Sequence, residues 1–216
     1  MHSRPTTLRD GLPHRAPANF ADRMAWRLIV FLRYFVDLCF RNRYGHHAVI
    51  LETVAAVPGM VAGALIHLRC LRRFEDDRGW IRTLLDEAEN ERMHLMVFLH
   101  VARPNWLERV LIVLAQGIFF NAFFIAYIFM PRVAHRFVGY LEEEAVVSYT
   151  EYLADIDAGR SANVPAPQIA INYWKLAPDA RLREVVLAVR EDEGKHRDLN
   201  HGFADELTSG AKTTGI

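Results

Sequence analysis

The sequence predicts an all-α protein in which long helices pack as a bundle. From Ala21 onward, proline and glycine separate helix-like segments, and the alternation of apolar and polar residues that marks strands is nearly absent. Two copies of Glu-x-x-His also lie within helix-like sequence, at Glu91 to His94 and at Glu193 to His196. The 216 residues fit one domain with a full-sized helical core.

Six long helices are predicted, with boundaries that follow from caps and breakers. Pro58-Gly59 predicts a kink in the second helix, and the third stops before Pro104. Pro131 opens the fifth, because the first N–H groups of a helix need no partner within it. The predicted long helices cover residues 21–41, 44–73, 80–101, 106–129, 131–157 and 180–207.

A loop over 159–167 and a short helix from Gln168 to Leu176 separate the fifth long helix from the last one. Asp179 is the predicted N-cap of that last helix, because aspartate accepts hydrogen bonds from the first free N–H groups. The predicted organisation is a flexible N-terminal tail, a helical bundle domain and a flexible C-terminal tail, at residues 1–20, 21–207 and 208–216.

The composition excludes some functions. The chain has 26 basic and 26 acidic residues, so it lacks the positive excess expected of a nucleic-acid-binding protein. Residues 1–20 contain three prolines and no apolar core, so they do not form a secretory signal. They favour the cytoplasmic tail of a bacterial protein, and an organelle-targeting segment stays open as the alternative.

The doubled Glu-x-x-His motif predicts a two-metal site. Residues three apart share a helix face, so each pair can direct a carboxylate and an imidazole at one point. In ferritin-like di-iron bundles, two such pairs are completed by one inward glutamate from each of two other helices. Glu52 and Glu142 are the candidates here. A single copy would more often be a solvated pair on a helix surface.

Register and burial select these two glutamates. Glu52 lies in the apolar stretch Ile50 to Ala56, where a carboxylate is costly to bury unless it is paired or coordinated. The consecutive acids 142–144 point about 100° apart, so they cannot all enter a core. Tyr149 lies seven residues after Glu142 and His135 seven before it, which places the three on one stripe. A buried tyrosine with a satisfied hydroxyl is the alternative role of Tyr149.

The ligand set predicts the metal. Four glutamates offset the charge of two divalent ions, and oxygen-rich sites with two imidazoles favour iron or manganese over zinc. Iron is preferred because a redox-active side chain, Tyr149, is predicted beside the site.

The fourth helix contains an uncharged run from Val110 to Met130 that is long enough to cross a bilayer. A spanning orientation would draw the many charges of the third and fifth helices into lipid, which costs too much. Two interpretations remain. One face of the helix lies in a single membrane leaflet, or the helix is buried in the core or in a dimer contact.

Four segments resemble the alternative oxidases, a family of non-haem di-iron quinol oxidases of respiratory membranes. They are LETVAAVPGM at 51–60, EAENERMHL at 87–95, FVGYLEEEAV at 137–146 and, more loosely, REDEGKHRD at 190–198. The resemblance covers residues 31–206 in uninterrupted order and favours a bacterial member.

The resemblance implies a ferritin-like four-helix bundle with two additional helices, which forms a homodimer attached to one leaflet of the lipid bilayer. It implies that ubiquinol or a similar quinol reduces O2 to water without proton pumping, with Tyr149 in electron and proton transfer. Two irons would be held by Glu52, Glu91, His94, Glu142, Glu193 and His196.

The same resemblance assigns two further groups of residues. The outer partners of the ligands would be Asn90, Asp192, Tyr173 and Trp174. The quinol pocket would be formed by Arg33, Asp37, Leu51, Arg72, Leu141, Glu144, Ala145 and Ser148.

Three alternatives stay open: a related membrane di-iron enzyme such as a plastoquinol oxidase or quinone hydroxylase, a ferritin-like iron-binding protein without turnover, and a structural helical protein of the membrane surface. The expected location is the cytoplasmic face of a bacterial inner membrane. The alternative is the matrix side of the mitochondrial inner membrane.

Overall fold

The computed structural model describes residues 6–7, 13–40 and 44–209, with the side chains of 14–34 and 44–209. The fold of these residues is all-α, as predicted: a ferritin-like four-helix bundle with two additional long helices and one short helix. Strands β1 (Thr6–Thr7) and β2 (Pro13–His14) form a short antiparallel pair before the bundle. The helices are α1 (Phe20–Phe40), α2 (Tyr44–Arg73), α3 (Trp80–Ala102), α4 (Trp106–Phe129), α5 (Pro131–Asp157), α6 (Gln168–Trp174) and α7 (Leu182–Ser209).

Helices α2, α3, α5 and α7 form the four-helix core. Helix α2 packs along α3, and α5 packs along α7, while α1 covers α5 and α4 lies on α2 and α5. One apolar cluster surrounds Phe98, Tyr152 and Val185, and a second surrounds Trp80 and Phe203. Burial of these side chains supplies the main stabilisation of the bundle.

A glycine sets the distance between α2 and α3. Helix α2 continues through Pro58 without a break. A Cβ atom on the next residue, Gly59, would collide with the carbonyl oxygen of Leu84 and lie 3.1 Å from the Cβ of Ala88. Only glycine therefore permits this close approach of the two backbones.

The predicted boundaries of α2, α4 and α5 are confirmed. The N-cap prediction is wrong, because α7 begins at Leu182 and Asp179 lies in the turn before it. Arg181 precedes the helix instead, pairs with Pro165 in an isolated β-bridge, and donates its N–H to the carboxylate of Glu184 at 3.0 Å. A glutamate inside the first turn thus satisfies the backbone donor.

Part of the predicted N-terminal tail packs against the bundle. His14 is buried, and its Nδ1 lies 2.5 Å from Oε2 of Glu143 on α5. The backbone N–H of Arg15 donates to the other oxygen of Glu143 at 2.9 Å. Residues 14 and 15 are therefore held by the core, and the rest of the domain division stays a prediction.

Helix α4 begins with a full capping box, formed by Asn105 and Glu108. Its buried residues are Phe123 and Tyr127. Of the most apolar 18-residue stretch of each helix, 11% is buried in α4 and 61% in α2. Both helices are long and apolar enough to cross a membrane. The interpretation of α4 as a fully buried core helix is therefore wrong for the described chain, and a leaflet or dimer contact remains.

Candidate metal centre

The four core helices bring all six predicted ligands to the middle of the bundle. Helices α2 and α5 contribute one glutamate each, and α3 and α7 each contribute a glutamate and a histidine three residues later. In each Glu-x-x-His pair the spacing places both side chains on the inner face. The carboxylates are 0–1% exposed, and both imidazoles are buried. The residues are Glu52, Glu91, His94, Glu142, Glu193 and His196.

The first half of the site surrounds His94. Its Nδ1 lies 3.2 Å from Oε2 of Glu52, 3.5 Å from Oε2 of Glu91 and 3.2 Å from Oε1 of Glu193. One ligand atom from each of these four residues lies within 4.8 Å of all the others. Atoms this close, from three carboxylates and one imidazole, can converge on a single cation.

The second half surrounds His196. Its Nδ1 lies 2.5 Å from Oε1 of Glu91 and 3.9 Å from Oε2 of Glu193. Glu142 lies against Glu193, whose charge, after burial, raises the pKa of Glu142. Glu91 and Glu193 each direct one carboxylate oxygen at His94 and the other at His196, so these two glutamates connect the two halves of the site.

The carboxylate oxygens of this cluster are buried without ordinary partners. Within the described part of the chain, both oxygens of Glu91, both of Glu193 and Oε2 of Glu142 make no hydrogen bond of ordinary geometry, although the nearby imidazoles approach those of Glu91 and Glu193. Buried polar atoms are almost always satisfied, because leaving a charged group unpaired is costly. Bound cations would satisfy these oxygens, so the residues fit a metal centre.

The electrostatics of the cluster support the same conclusion. Burial, followed by repulsion from Glu193, raises the pKa of Glu52 well above its usual range. Burial alone would lower the pKa of each histidine, but nearby carboxylates outweigh it and raise the pKa of His196 to about 11. The glutamates therefore attract positive charge strongly, and metal ions can supply that charge without protonating the ligands.

The predicted outer partners gather beside His94. Its Nε2 lies 3.6 Å from Oδ2 of Asp192, which accepts hydrogen bonds from Trp174 Nε1 at 2.9 Å and Asn90 Nδ2 at 3.2 Å. Asn90 also donates to the hydroxyl of Tyr173 at 2.9 Å. Burial would raise the pKa of Asp192, but these contacts outweigh it and hold that pKa well below its usual range.

Tyr149 contacts the cluster directly. Its hydroxyl donates a hydrogen bond to Oε1 of Glu52, and its ring stacks on Phe98 with centroids 5.6 Å apart. Burial and then the charge of Glu52 raise the pKa of the Tyr149 hydroxyl well above its usual range. The phenol is therefore a neutral hydrogen-bond donor to a candidate ligand.

The residues predicted to bind quinol do not all come together. Arg33 on α1 contacts Glu144 and lies 3.1 Å from Glu151, both on α5. Leu51, Leu141, Ala145 and Ser148 are partly or fully buried on α2 and α5. Arg72 is exposed near the far end of α2, roughly 30 Å from Leu51 at 1.5 Å per residue, so it does not join them. The side chain of Asp37 lies outside the described residues.

Sequence reasoning missed two buried acids. Glu143 is buried between His14 and His201, whose Nε2 lies 2.9 Å from Oε1 of Glu143. Glu87 is buried one helical turn before Glu91 and accepts a hydrogen bond from Asn200 at 2.8 Å. For Glu87 the i, i+4 spacing to a ligand was a usable signal. The partners of Glu143 are distant in sequence, and no local pattern indicates them.

Comparison with known proteins gives one consistent result. A family model described as "Alternative oxidase" matches residues 5–205. The chain is similar to "Ubiquinol oxidase 2, mitochondrial" of Glycine max, with 57% identity over 194 residues that cover 90% of this chain and 58% of the relative. The protein of the same name from Nicotiana tabacum is 58% identical over 194 residues, 90% of this chain and 65% of the relative.

A third relative, "Alternative oxidase 3, mitochondrial" of Glycine max, is 56% identical over 198 residues, 92% of this chain and 60% of the relative. The chain thus spans between 58% and 65% of the lengths of these three relatives. The match of the family model over nearly the whole chain agrees with the doubled Glu-x-x-His site in the bundle. The chain belongs to the alternative oxidase family.

Proposed function

We propose that this protein oxidises ubiquinol or a similar quinol and reduces O2 to water at a di-iron carboxylate centre, without pumping protons. The observation that carries the proposal is the buried cluster of four glutamates and two histidines with Tyr149 bonded to one of its ligands. Family membership and the names of the relatives as ubiquinol oxidases support the choice of substrate.

The chain supplies a matched ligand set for two irons. Glu52 and His94 would hold one iron, and Glu142 and His196 would hold the other. Glu91 and Glu193 would be shared by both irons, since each has one oxygen directed at His94 and the other at His196. Four carboxylates balance the charge of two divalent ions. When bound, such a pair supplies the electrons that reduce O2 and is reduced again by quinol.

The protein contributes proton handling and an enclosed site. Tyr149 holds a proton at its hydroxyl, directed at Oε1 of Glu52, and can pass it inward as the charge on that carboxylate changes. The cluster is sealed by the bundle, because its carboxylates are 0–1% exposed. Exclusion of water strengthens each electrostatic interaction in the site.

A quinol would reach this centre from the side covered by α1. Arg33 bridges α1 to Glu144 and Glu151 on α5, and Ala145 and Ser148 lie on the same stretch of α5 as Tyr149. The guanidinium of Arg33 can donate hydrogen bonds to the quinol oxygens, and the carboxylates of Glu144 and Glu151 can take up the quinol protons. In this proposal Leu51 and Leu141 would supply the apolar walls of the quinol pocket.

We also propose that the protein lies on one leaflet of a membrane as a homodimer. Large apolar side chains on α1 and α4 are exposed, which is unusual for a soluble surface. The mitochondrial names of the relatives support the mitochondrial inner membrane and give no support to the expected bacterial membrane. Exposed members of this surface include Leu28, Phe31, Val113, Leu114, Ile118 and Ile125.

The activity is tested by O2 consumption of the purified, iron-loaded protein with a short-chain quinol in detergent. Uptake of one O2 per two quinols, insensitive to cyanide and lost in Glu142→Ala, is expected. Glu191→Ala is the matched control, because that acid is exposed two residues before a ligand. Bound iron without O2 uptake would refute the proposal in favour of iron storage or a different substrate.

Membrane attachment is tested by flotation with vesicles of mitochondrial lipid composition. Leu114→Glu with Ile118→Glu should abolish flotation, because both side chains are exposed on the apolar face of α4. Unchanged flotation together with a shift from dimer to monomer by light scattering would assign this face of α4 to the dimer contact instead.

A further inference from the structure

The packing of the four core helices leaves two seams beside the candidate metal centre. Helix α2 packs along α3 and α5 packs along α7, so one seam lies between α2 and α5 and the other between α3 and α7. Phe123 and Tyr127 of α4 belong to one apolar cluster with Val57 of α2 and Val138 of α5. Apolar side chains of α4 therefore cover the α2–α5 seam from outside.

Apolar contacts also close the two ends of the α3–α7 seam. At one end, the rings of Trp80 on α3 and Phe203 on α7 lie 4.1 Å apart between centroids. At the other end, Val97 of α3 and Val189 of α7 are buried in one cluster. An ion would not pass at these ends, because moving a charge into apolar surroundings without a partner is very costly.

Polar side chains cross the middle of the α3–α7 seam. The amide of Asn200 on α7 donates to Oε1 of Glu87 on α3 at 2.8 Å, and the amide of Asn90 on α3 donates to Oδ2 of Asp192 on α7 at 3.2 Å. We call these four residues the polar window. Helix α6 lies outside the window, where the hydroxyl of Tyr173 accepts a hydrogen bond from Asn90 at 2.9 Å.

The metal centre is closest to solvent at the polar window. His196 lies one helical turn from both Asp192 and Asn200, so it shares their face of α7. It is 7% exposed, whereas the other five candidate ligands are 0–1% exposed. Asp192 lies 3.6 Å from Nε2 of His94, and its own side chain is 15% exposed. On the outer side, Asp192 contacts Lys195 at 3.0 Å, and the Lys195 side chain is 62% exposed.

Two oxygen atoms of the window are buried without a partner. Oε2 of Glu87 and Oδ1 of Asn90 make no hydrogen bond to the residues that the structure describes, and Glu87 is only 4% exposed. Buried oxygens are normally satisfied. Carboxylate and amide oxygens are also the atoms that can replace the water around a divalent cation. The window can therefore hold water or a cation in passage.

We propose that Fe(II) enters and leaves the buried centre through the polar window, with α6 as its cover. This inference rests on the two-iron centre of the proposed function, but not on its substrate. A cation that sheds water needs oxygen atoms along its path, and Glu87, Asn90 and Asp192 offer them. The apolar quinol would approach from the opposite side, beneath α1, so ion and quinol use different faces of the bundle.

Rates of iron transfer separate a route from a role in holding the ligands. A cover over the path changes uptake and release by the same factor, because both directions use it, whereas a ligand that loses its support changes the ratio of the two rates. Uptake is measured by mixing the iron-free protein with Fe(II) in detergent, without O2 or quinol. Release is measured by mixing the loaded protein with an excess of a coloured Fe(II) chelator.

Tyr173→Ala removes the cover and the hydrogen bond that holds Asn90. Uptake and release should both rise roughly 5- to 10-fold, the factor that one lost hydrogen bond gives, with their ratio unchanged. Phe119→Ala is the matched control, because Phe119 is a partly buried aromatic residue on α4, the helix that covers the other seam. Its rates should equal those of wild type.

The charge at the outer end of the window gives a second measurement. Lys195→Glu replaces an exposed cation with an anion there, so uptake of Fe(II) should become faster at low ionic strength. The difference should vanish at about 1 M salt, where charges are screened within roughly 3 Å. This variant also tests the route if Tyr173→Ala does not fold.

Wild-type rates in both Tyr173→Ala and Lys195→Glu, a changed ratio of uptake to release in Tyr173→Ala, or faster transfer in Phe119→Ala would overturn the inference. Quinol oxidation plays no part in these measurements. A protein that loads two irons through the window but does not oxidise quinol would refute the proposed activity alone.

Discussion

Substituting alanine for Gly59 tests whether the contact between α2 and α3 sets the geometry of the metal site. The added Cβ would collide with the backbone oxygen of Leu84 and lie 3.2 Å from the backbone nitrogen of Ala88. Because these are main-chain atoms within α3, no side-chain rotation can relieve the collision. The two helices must therefore move apart.

The expected cost follows from two opposing effects. Alanine is about 1 kcal/mol more favourable than glycine within a helix, whereas overpacking typically costs about 1–3 kcal/mol. Contact with backbone atoms places Gly59→Ala at the upper end of that range, so a net destabilisation of about 1–2 kcal/mol is expected. For a domain of this size that corresponds to a fall in melting temperature of roughly 2–8 °C.

Separation of α2 from α3 should also change the geometry of the candidate metal site. Glu52 lies on α2 and His94 on α3, with 3.2 Å between Oε2 and Nδ1. Moving the helices apart by a few tenths of an ångström lengthens this distance, so Gly59→Ala should bind iron more weakly.

The assay is thermal unfolding by circular dichroism, with iron titration alongside. Gly202→Ala is the matched control, because Gly202 lies within α7 and an added Cβ there meets no atom within 4 Å among the described residues. That control should raise the melting temperature by about 2–4 °C. A comparable rise for Gly59→Ala, with unchanged iron binding, would refute the close-packing argument.

Three further predictions concern a buried histidine, a helix cap and the buried tyrosine. Burial lowers the pKa of His135 to about 4, below the value of about 6.5 in the unfolded chain. The unfolded chain therefore takes up this proton first as the pH falls, and roughly 3 kcal/mol of stability, present above pH 6.5, should be lost by pH 4. Urea unfolding of His135→Gln should lack this part of the pH dependence, and an unchanged pH profile would contradict the assignment. Asn105→Ala removes the side-chain acceptor of the α4 capping box and should cost about 1 kcal/mol in urea unfolding, whereas an equal free energy of unfolding would show that the cap is unimportant. Tyr149→Phe should retain two irons but lose most quinol-dependent O2 uptake, because only the hydroxyl bonded to Glu52 is removed; full uptake would exclude Tyr149 from the reaction.

The residues of the buried cluster were predictable because their signal is local. Residues three apart in a helix share a face, and two copies of Glu-x-x-His make coincidence improbable. Glu52 could be chosen because its neighbours are apolar, and Glu142 because its register matches Tyr149. The structure brings these residues into one buried cluster by packing the predicted helices in the order that the ligand pattern requires.

Glu143 shows where local reasoning fails. Helix phase alone separates it from Glu142 by about 100°, which suggested a position outside the core. The structure buries it, because His14 and His201 supply hydrogen bonds from the N-terminal segment and from α7. The hydrogen-bond partners of this buried carboxyl group lie more than fifty residues away in the sequence, and such contacts leave no periodic pattern that sequence analysis could detect.

Hydropathy alone could not have distinguished α2 from α4, since both satisfy the same criteria of length and composition. The position of one charged residue separates them. As a candidate ligand, Glu52 would need partners on other helices, which places α2 inside the bundle, and 61% of the most apolar 18-residue stretch of α2 is buried. Helix α4 carries no predicted ligand and can lie outside the four-helix core. There, 11% of its most apolar 18-residue stretch is buried. A candidate ligand in the sequence of an apolar helix thus indicates that the helix belongs to the core, and the remaining apolar helix becomes the candidate for contact with lipid or a second copy.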